Sequence, residues 1–341
     1  MTRTALRETL VTLAIGAVGA ALFWLIGFPA AVLTGPAAAV SAATLMGVPT
    51  LLPARLRDGV FLVIGVTIGS TVTPEVIATA LSWPISLAVL VLTLVAVVVV
   101  AQAALIRGFG YDKMTALLCA TPGHLSYVLT LSTDLNADVP RVALVQTVRV
   151  LLLTLAVPVL IALWGVEGTA YLTDYGAISP LALAATFPVA LAVGWVFLRL
   201  NVPAALVLGG MAVSAIGHGT GLTPGAIPVW LQVGAFMCMG TLIGTRFRGF
   251  DPRGVWAALG AGVVTTIIAC AVAAIGAVVA SHLTGLPAAA LLLAFAPGGV
   301  EVMAAIAVET GLEPALVAAH HVFRLLALTV MVPLMIARVR A

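Results

Sequence analysis

Charge is what this sequence has least of: Asp, Glu, Lys and Arg make up 8% of its 341 residues. A soluble domain carries roughly 25% charged residues, so a chain wrapped in a water-facing surface is excluded. Cysteine is scarce as well. Cys119, Cys238 and Cys270 lie inside apolar stretches without a CxxC pair or metal-type spacing, which argues against a disulfide scaffold, a zinc site or a redox pair. The 15 Lys and Arg exceed the 12 Asp and Glu only slightly, and they are scattered rather than gathered into the basic stripe of a nucleic-acid binder. The five histidines are too dispersed for an oxygen-activating copper site. The expectation is therefore no enzyme, no cofactor, no bound metal and no nucleic-acid partner.

Apolar residues fill the space that charge leaves. They account for 62% of the chain, with a mean hydropathy of +1.24. Runs long enough to span a bilayer, about 20 residues each, recur from end to end. The first follows Arg3 and Arg7 and imitates a secretory signal. With so many spans behind it, it reads as an uncleaved first helix.

The chain repeats itself. Residue n matches residue n + 175 at Pro49 and Pro224, Pro53 and Pro228, Gly59 and Gly234, Phe61 and Phe236, and Gly65 and Gly240. Further on, Pro122-Gly123 meets Pro297-Gly298, Arg149 meets Arg324, and Pro158 meets Pro333. Ala, Val and Leu coincide cheaply in such a sequence; Pro, Gly and intramembrane Arg do not. Residues 1–170 and 171–341 thus form two membrane repeats. Each holds the same apolar segments: about 7–27, 29–49, 58–73, 81–106, 113–134 and 141–164, then about 179–199, 202–219, 229–246, 254–281, 286–309 and 314–337. The fifth of each set is interrupted, by Thr121-Pro122-Gly123-His124 and by Ala296-Pro297-Gly298-Gly299.

Basic residues settle how the fifth segment runs. If it crossed the membrane, Arg199, Arg246, Arg248 and Arg253 would lie outside, against the tendency of Lys and Arg to stay cytoplasmic. If it dips in and returns, every Lys and Arg except Arg149 and Arg324 falls inside, while Glu75, Glu167, Asp174, Glu309 and Glu313 fall outside. The fold expected is all-α and polytopic, with about five transmembrane helices and one re-entrant Pro-Gly hairpin per repeat. Five crossings is an odd number, so the repeats are inverted, as in many secondary transporters. Both termini face the cytoplasm.

The candidate solute-binding residues gather around the two interruptions. Arg149 and Arg324 stand near mid-membrane, where an Arg costs ~2.5–3.5 kcal/mol on insertion scales. They offer a planar donor fork to an anion, or a clamp on carbonyls of the adjacent hairpin. Gln146 and His321 precede them by three residues and share their faces; His320 sits beside His321. Glu301, the one carboxylate near the second tip, is a candidate proton or sodium site or a fixed partner of Arg324; its repeat counterpart is Ser126. At the tips, Pro122 and Pro297 end the incoming arm, and Gly123, Gly298 and Gly299 permit close backbone approach. His124 stands where the second tip has Gly299. The GxxxG pairs Gly65–Gly69 and Gly240–Gly244 read as close helix packing.

The segments TPGHLSYVLTLSTDLNADVPRVALVQTVRVLLL at 121–153 and APGGVEVMAAIAVETGLEPALVAAHHVFRLLAL at 296–328 resemble the AbrB family of duplicated bacterial membrane proteins, and the likeness extends over nearly the whole chain. The family's first hairpin reads Pro-Gly-Gly-Leu-Ser-Glu. Here His124 and Tyr127 depart from it, so no first-hairpin carboxylate role carries over. Members bear labels of gene-expression regulator or ammonia monooxygenase, and the name is shared with an unrelated DNA-binding protein; what the resemblance implies is the membrane fold and its duplication. The leading expectation is a transporter of a small anionic solute in the bacterial inner membrane, with a proton or sodium ion as coupling partner and a homodimer as a candidate assembly. The competing expectation is a membrane-embedded sensor that affects gene expression without transport.

Overall fold

A computed structural model describes residues 2–72, 83–123, 125–163 and 176–340, together with Val76, Ala78 and Ala80. In these residues the chain is helical, and its single β feature is an isolated bridge between Ala177 and Ala226. The helices are α1 (Arg3–Leu25), α2 (Ala31–Leu45), α3 (Ala54–Gly69), α4 (Trp83–Phe109), α5 (Lys113–Ala120), α6 (Leu125–Asp134) and α7 (Val139–Leu163). The second half continues with α8 (Pro180–Arg199), α9 (Ala205–Gly219), α10 (Val229–Thr245), α11 (Pro252–Thr284), α12 (Ala288–Phe295), α13 (Val300–Thr310) and α14 (Pro314–Arg340). Each expected apolar segment is a helix within a few residues of its expected bounds. Both fifth segments break where Pro and Gly interrupt them.

Local chemistry sets several of these boundaries. The Thr2 hydroxyl accepts from the Ala5 amide, and the Ser179 hydroxyl from the Ala182 amide with Pro180 at the first helical position, the ordinary N-terminal signals. Ala30 and Ala204 open α2 and α9 from the left-handed region, at φ 50 and 54. Among the described residues, six helices (α1, α4, α7, α8, α11 and α14) are long and apolar enough to cross a membrane. The helices α2, α3, α9 and α10 have 15, 16, 15 and 17 residues, about 22–26 Å of rise.

By contacts the chain divides into two compact units. Unit 1 comprises Met1–Leu81, Thr154–Arg248 and Val300–Ala318; unit 2 comprises Ser82–Leu153, Gly249–Gly299 and Ala319–Ala341. Each unit draws on both halves of the sequence. In unit 1 the halves exchange partners: α3 lies along α9, and α10 along α2. The GxxxG glycines make this possible. A Cβ at Gly65 would stand 2.2 Å from the Val207 carbonyl oxygen, and one at Gly240 2.1 Å from that of Leu33, so only a glycine lets these backbones touch. Within a half, α1 meets α2 at Gly19 and Gly35, and α8 meets α9 at Gly194 and Gly209.

These matched contacts correct the repeat register. Leu33 corresponds to Val207, Ala30 to Ala204, and Val40-Ser41 to Ser214-Ala215, a separation of 174. The offset of 175 holds at Gly19 and Gly194 and again from Pro49 and Pro224 onward. One residue is therefore missing before α9 relative to α2, and is restored before α10. In unit 2 the repeat mates α4 and α11 pack on each other, and α5 and α12 pack against them. An apolar cluster around Val98, Leu117, Leu328 and Val332 ties α4, α5 and α14 together.

Candidate functional site

Both interruptions lie in unit 2, and each is held by the helix that follows its hairpin. At the first turn, Thr121 leaves α5 in an extended conformation. Its carbonyl accepts from the Gly123 amide at 3.1 Å, from Gln146 Nε2 at 3.0 Å and from Arg149 Nη1 at 3.4 Å. Gln146 Nε2 also reaches the Leu118 carbonyl at 2.8 Å, and Gln146 Oε1 accepts from Arg149 Nη2. Gln146 and Arg149 are 2% and 3% exposed. Three residues apart on α7, they present one face to the turn, as the helical period requires.

The second turn repeats the plan with different groups. Ala296 caps the end of α12 at φ -54 and ψ 135. Its carbonyl accepts from Arg324 Nη1 at 2.8 Å, and the Gly298 carbonyl accepts from Arg324 Nη2. His321 Nε2 donates to the Leu293 carbonyl at 2.9 Å. The bonds Gln146–Leu118 and Arg149–Thr121 thus have exact counterparts in His321–Leu293 and Arg324–Ala296, all 28 residues apart in sequence. Of the two roles expected for the buried arginines, the contacts display the clamp: Arg324 closes both arms of its fork on carbonyls that the Pro-Gly break leaves without helical partners, and Arg149 closes one arm on the Thr121 carbonyl and the other on Gln146 Oε1. A buried carbonyl left unpaired costs about 1–3 kcal/mol, which gives each Arg a structural reason to stand where it does.

His320 turns elsewhere, as its 100° separation from His321 predicts. It is fully buried; its Nε2 lies 2.8 Å from Ser86 Oγ, and its ring lies against Trp83 and Phe295. Ser86 Oγ also stands 2.8 Å from the Trp83 carbonyl. That carbonyl can only accept, so the hydroxyl gives it its one hydrogen and takes that of His320 Nε2. Ser86 and Trp83 were not expected at the site. A lone serine near the start of the apolar run of α4 was their only signal.

Glu301 belongs to unit 1. It is 8% exposed, in the first turn of α13, and its charge is felt electrostatically by Arg246 at the end of α10. Arg246 is expected on the cytoplasmic side at the end of segment 229–246, and the candidate partner expected for Glu301 is Arg324; nothing local in the sequence links positions 246 and 301. All eleven residues of α13 are buried, Glu309 at its C-terminal end included. Of the other expected site residues, Pro122 and Gly123 lie at the first turn, and Pro297, Gly298 and Gly299 at the second. His124 and the side chain of Ser126 lie outside the described residues, as do Glu75, Glu167 and Asp174.

Outside these turns, Asp112 caps α5, its Oδ1 accepting from the amides of Met114 and Thr115 at 3.0 and 2.9 Å. Burial pushes its carboxyl up, and the bonds from Thr115 and Met114 outweigh that and hold it below its usual value. An open apolar groove of about 750 Å³ in unit 1, lined by Gly59, Phe187, Trp230 and Gly234, contains none of the expected site residues. Among the described residues, no three His, Cys, Asp or Glu stand close enough together to hold a metal ion.

Long apolar helices, with buried arginines on two matched Pro-Gly turns, define a helical membrane protein. The chain belongs to the AbrB family: the family described as "Transition state regulatory protein AbrB" matches residues 32–340. It is 28% identical over 313 residues to the Escherichia coli (strain K12) protein named "Putative regulator AbrB", covering 89% of this chain and 88% of that one. It is 26% identical over 289 residues to "Uncharacterized protein YhjN" of Bacillus subtilis (strain 168), covering 80% and 75%.

Proposed function

We propose that the protein is a secondary transporter of a small anionic solute, lying in the bacterial inner membrane with both termini in the cytoplasm. The observation that carries the reading is the pair of equivalent turns, each held by a buried Arg within apolar helices. Non-helical backbone at membrane depth survives only when buried in protein or lining a cavity. The arms of 8 and 10 residues, and of 8 and 11, rise about 12–17 Å, half of a ~30 Å hydrocarbon core. The tips would then reach the midplane, and the repeats would be inverted. The guanidinium charges remain at the turns, and the outgoing helices begin there with free amides, both of which favour an anion. Arg248 meets Glu8 at 3.1 Å and the Thr50 carbonyl at 2.8 Å, which brings one end of α1, α3 and α10 together, as the assignment of their basic residues to the cytoplasm requires.

The test is binding followed by flux. Small anions should raise the melting temperature of the detergent-purified protein, because a ligand of the folded state stabilises it. The stabilising anion should then exchange across proteoliposomes, and Arg149→Ala or Arg324→Ala should abolish that exchange in folded protein. Unchanged affinity in both variants would reject the anion site. The E. coli relative's name suggests a second reading, a membrane sensor that binds without transporting; saturable binding with no flux would favour it. Neither reading assigns the chain a catalytic role.

A further inference from the structure

The two half-sites differ most at one atom. Gln146 and His321 are repeat mates, and each donates from a side-chain nitrogen to the equivalent carbonyl, Leu118 and Leu293. The other pole of Gln146, Oε1, accepts from Arg149. The other pole of His321 is Nδ1, and among the described residues it has no hydrogen-bond partner although the residue is 0% exposed. Nε2 faces a carbonyl and so carries a hydrogen; in the neutral ring Nδ1 therefore presents a bare lone pair. Buried polar atoms are nearly always paired, and an exception calls for an explanation. Gln146 can neither gain nor lose a proton at physiological pH, whereas an imidazole can.

We propose that His321 Nδ1 is the coupling-proton site, and that the solute is an anion carried together with the proton it holds. This rests on the transport reading above and places the coupling group at His321 rather than at Glu301. The step is simple: a proton from water on the open side adds to the Nδ1 lone pair, forms the imidazolium and returns to water after release. No other bond changes. Among the described residues, the charged and titratable groups that act on His321 are Arg324 and His320, both on α14; α12, whose Leu293 accepts its hydrogen bond, has none. Imidazolium beside guanidinium puts two like charges together, and an anion between them offsets that repulsion. Proton and anion therefore bind with positive cooperativity, each strengthening the other by the same factor. Neither bound alone is favoured, which is what a symporter needs.

Two measurements test this with chloride, acetate, succinate and inorganic phosphate as probes. In weakly buffered detergent solution, the stabilising anion should draw about one proton per site from the medium of the wild-type protein. Its affinity should also rise about ten-fold for each unit the pH falls while one proton accompanies binding, whereas His321→Gln, which installs the residue the first repeat uses, should bind with a flat pH profile. Binding without proton uptake, or with the same pH slope in both proteins, would overturn the His321 assignment and leave the anion site standing. No stabilisation by any probe at any pH would overturn both.

Discussion

The two hairpins share a Leu-Leu pair and the Pro-Gly break but little else in sequence, and they arrive at different structures. In the first, both arms and the turn lie in unit 2, and the Thr121 carbonyl is held by Gln146 as well as Arg149. In the second, the incoming arm and turn lie in unit 2 while the outgoing arm belongs to unit 1 and is buried throughout. There Arg324 takes two carbonyls by itself, and His321 supplies one bond where Gln146 supplies two. Duplication preserved the clamp and let its surroundings diverge. A shared charge was kept at both turns, and a titratable group was placed at one.

The largest expected effect separates the two arginines. Arg324→Leu leaves the Ala296 and Gly298 carbonyls without their cationic donor, at about 1–3 kcal/mol each. Arg149→Leu costs about half as much, because Gln146 still reaches Thr121. Thermal unfolding in detergent should show the larger fall for Arg324→Leu, and equal falls would mean the turns are held alike. Next come their neighbours: Gln146→Leu removes two bonds to carbonyls and His321→Leu one, a difference of about 1 kcal/mol in the direction opposite to that of the arginines. Loss of an equal amount in both would show that the extra bond of Gln146 contributes nothing.

The smallest effect lies at the hairpin entrances. Asp112 caps α5, while its mate Pro287 leaves α12 without a side-chain cap. Asp112→Ala should cost about 1 kcal/mol. Because the folded carboxyl lies below its usual value, the stabilisation is complete above the unfolded pKa of about 3.9 and is lost as the pH falls through the folded value. Wild type and Asp112→Ala should therefore converge in stability only in strong acid. A constant gap down to about pH 2 would show that the carboxylate charge is not what caps the helix.

The helices and their breaks were legible because apolar length and Pro-Gly punctuation are local signals. The place of Arg149 and Arg324 was legible too, since a cation deep in an apolar run needs a partner and the hairpins supplied the nearest carbonyls. Partners distant in sequence were not legible. Nothing near Gly65 announces that it touches Val207, and nothing near Glu301 points to Arg246. The slip from 175 to 174 across α2 and α9 is easily passed over because Ala, Leu and Val match in either register; Pro29 and Pro203 match only at 174, and the backbone contacts at Leu33 and Val207 agree with them. Glu309 ends the expected segment, and the last turn of α13 buries it, which an acid at a segment's end does not announce.

The claim beneath all of this is that each broken segment turns back on the side it entered, so that equivalent positions of the two halves face opposite sides of the membrane. Asn136 and Gly311, which follow the two hairpins at equivalent places, report on it directly. Single cysteines at these sites, in a protein with Cys119, Cys238 and Cys270 replaced, can be labelled with a membrane-impermeant thiol reagent in intact cells and in inverted vesicles. The account predicts that position 136 reacts only from the cytoplasm and position 311 only from the periplasm; labelling of both from the same side would contradict it.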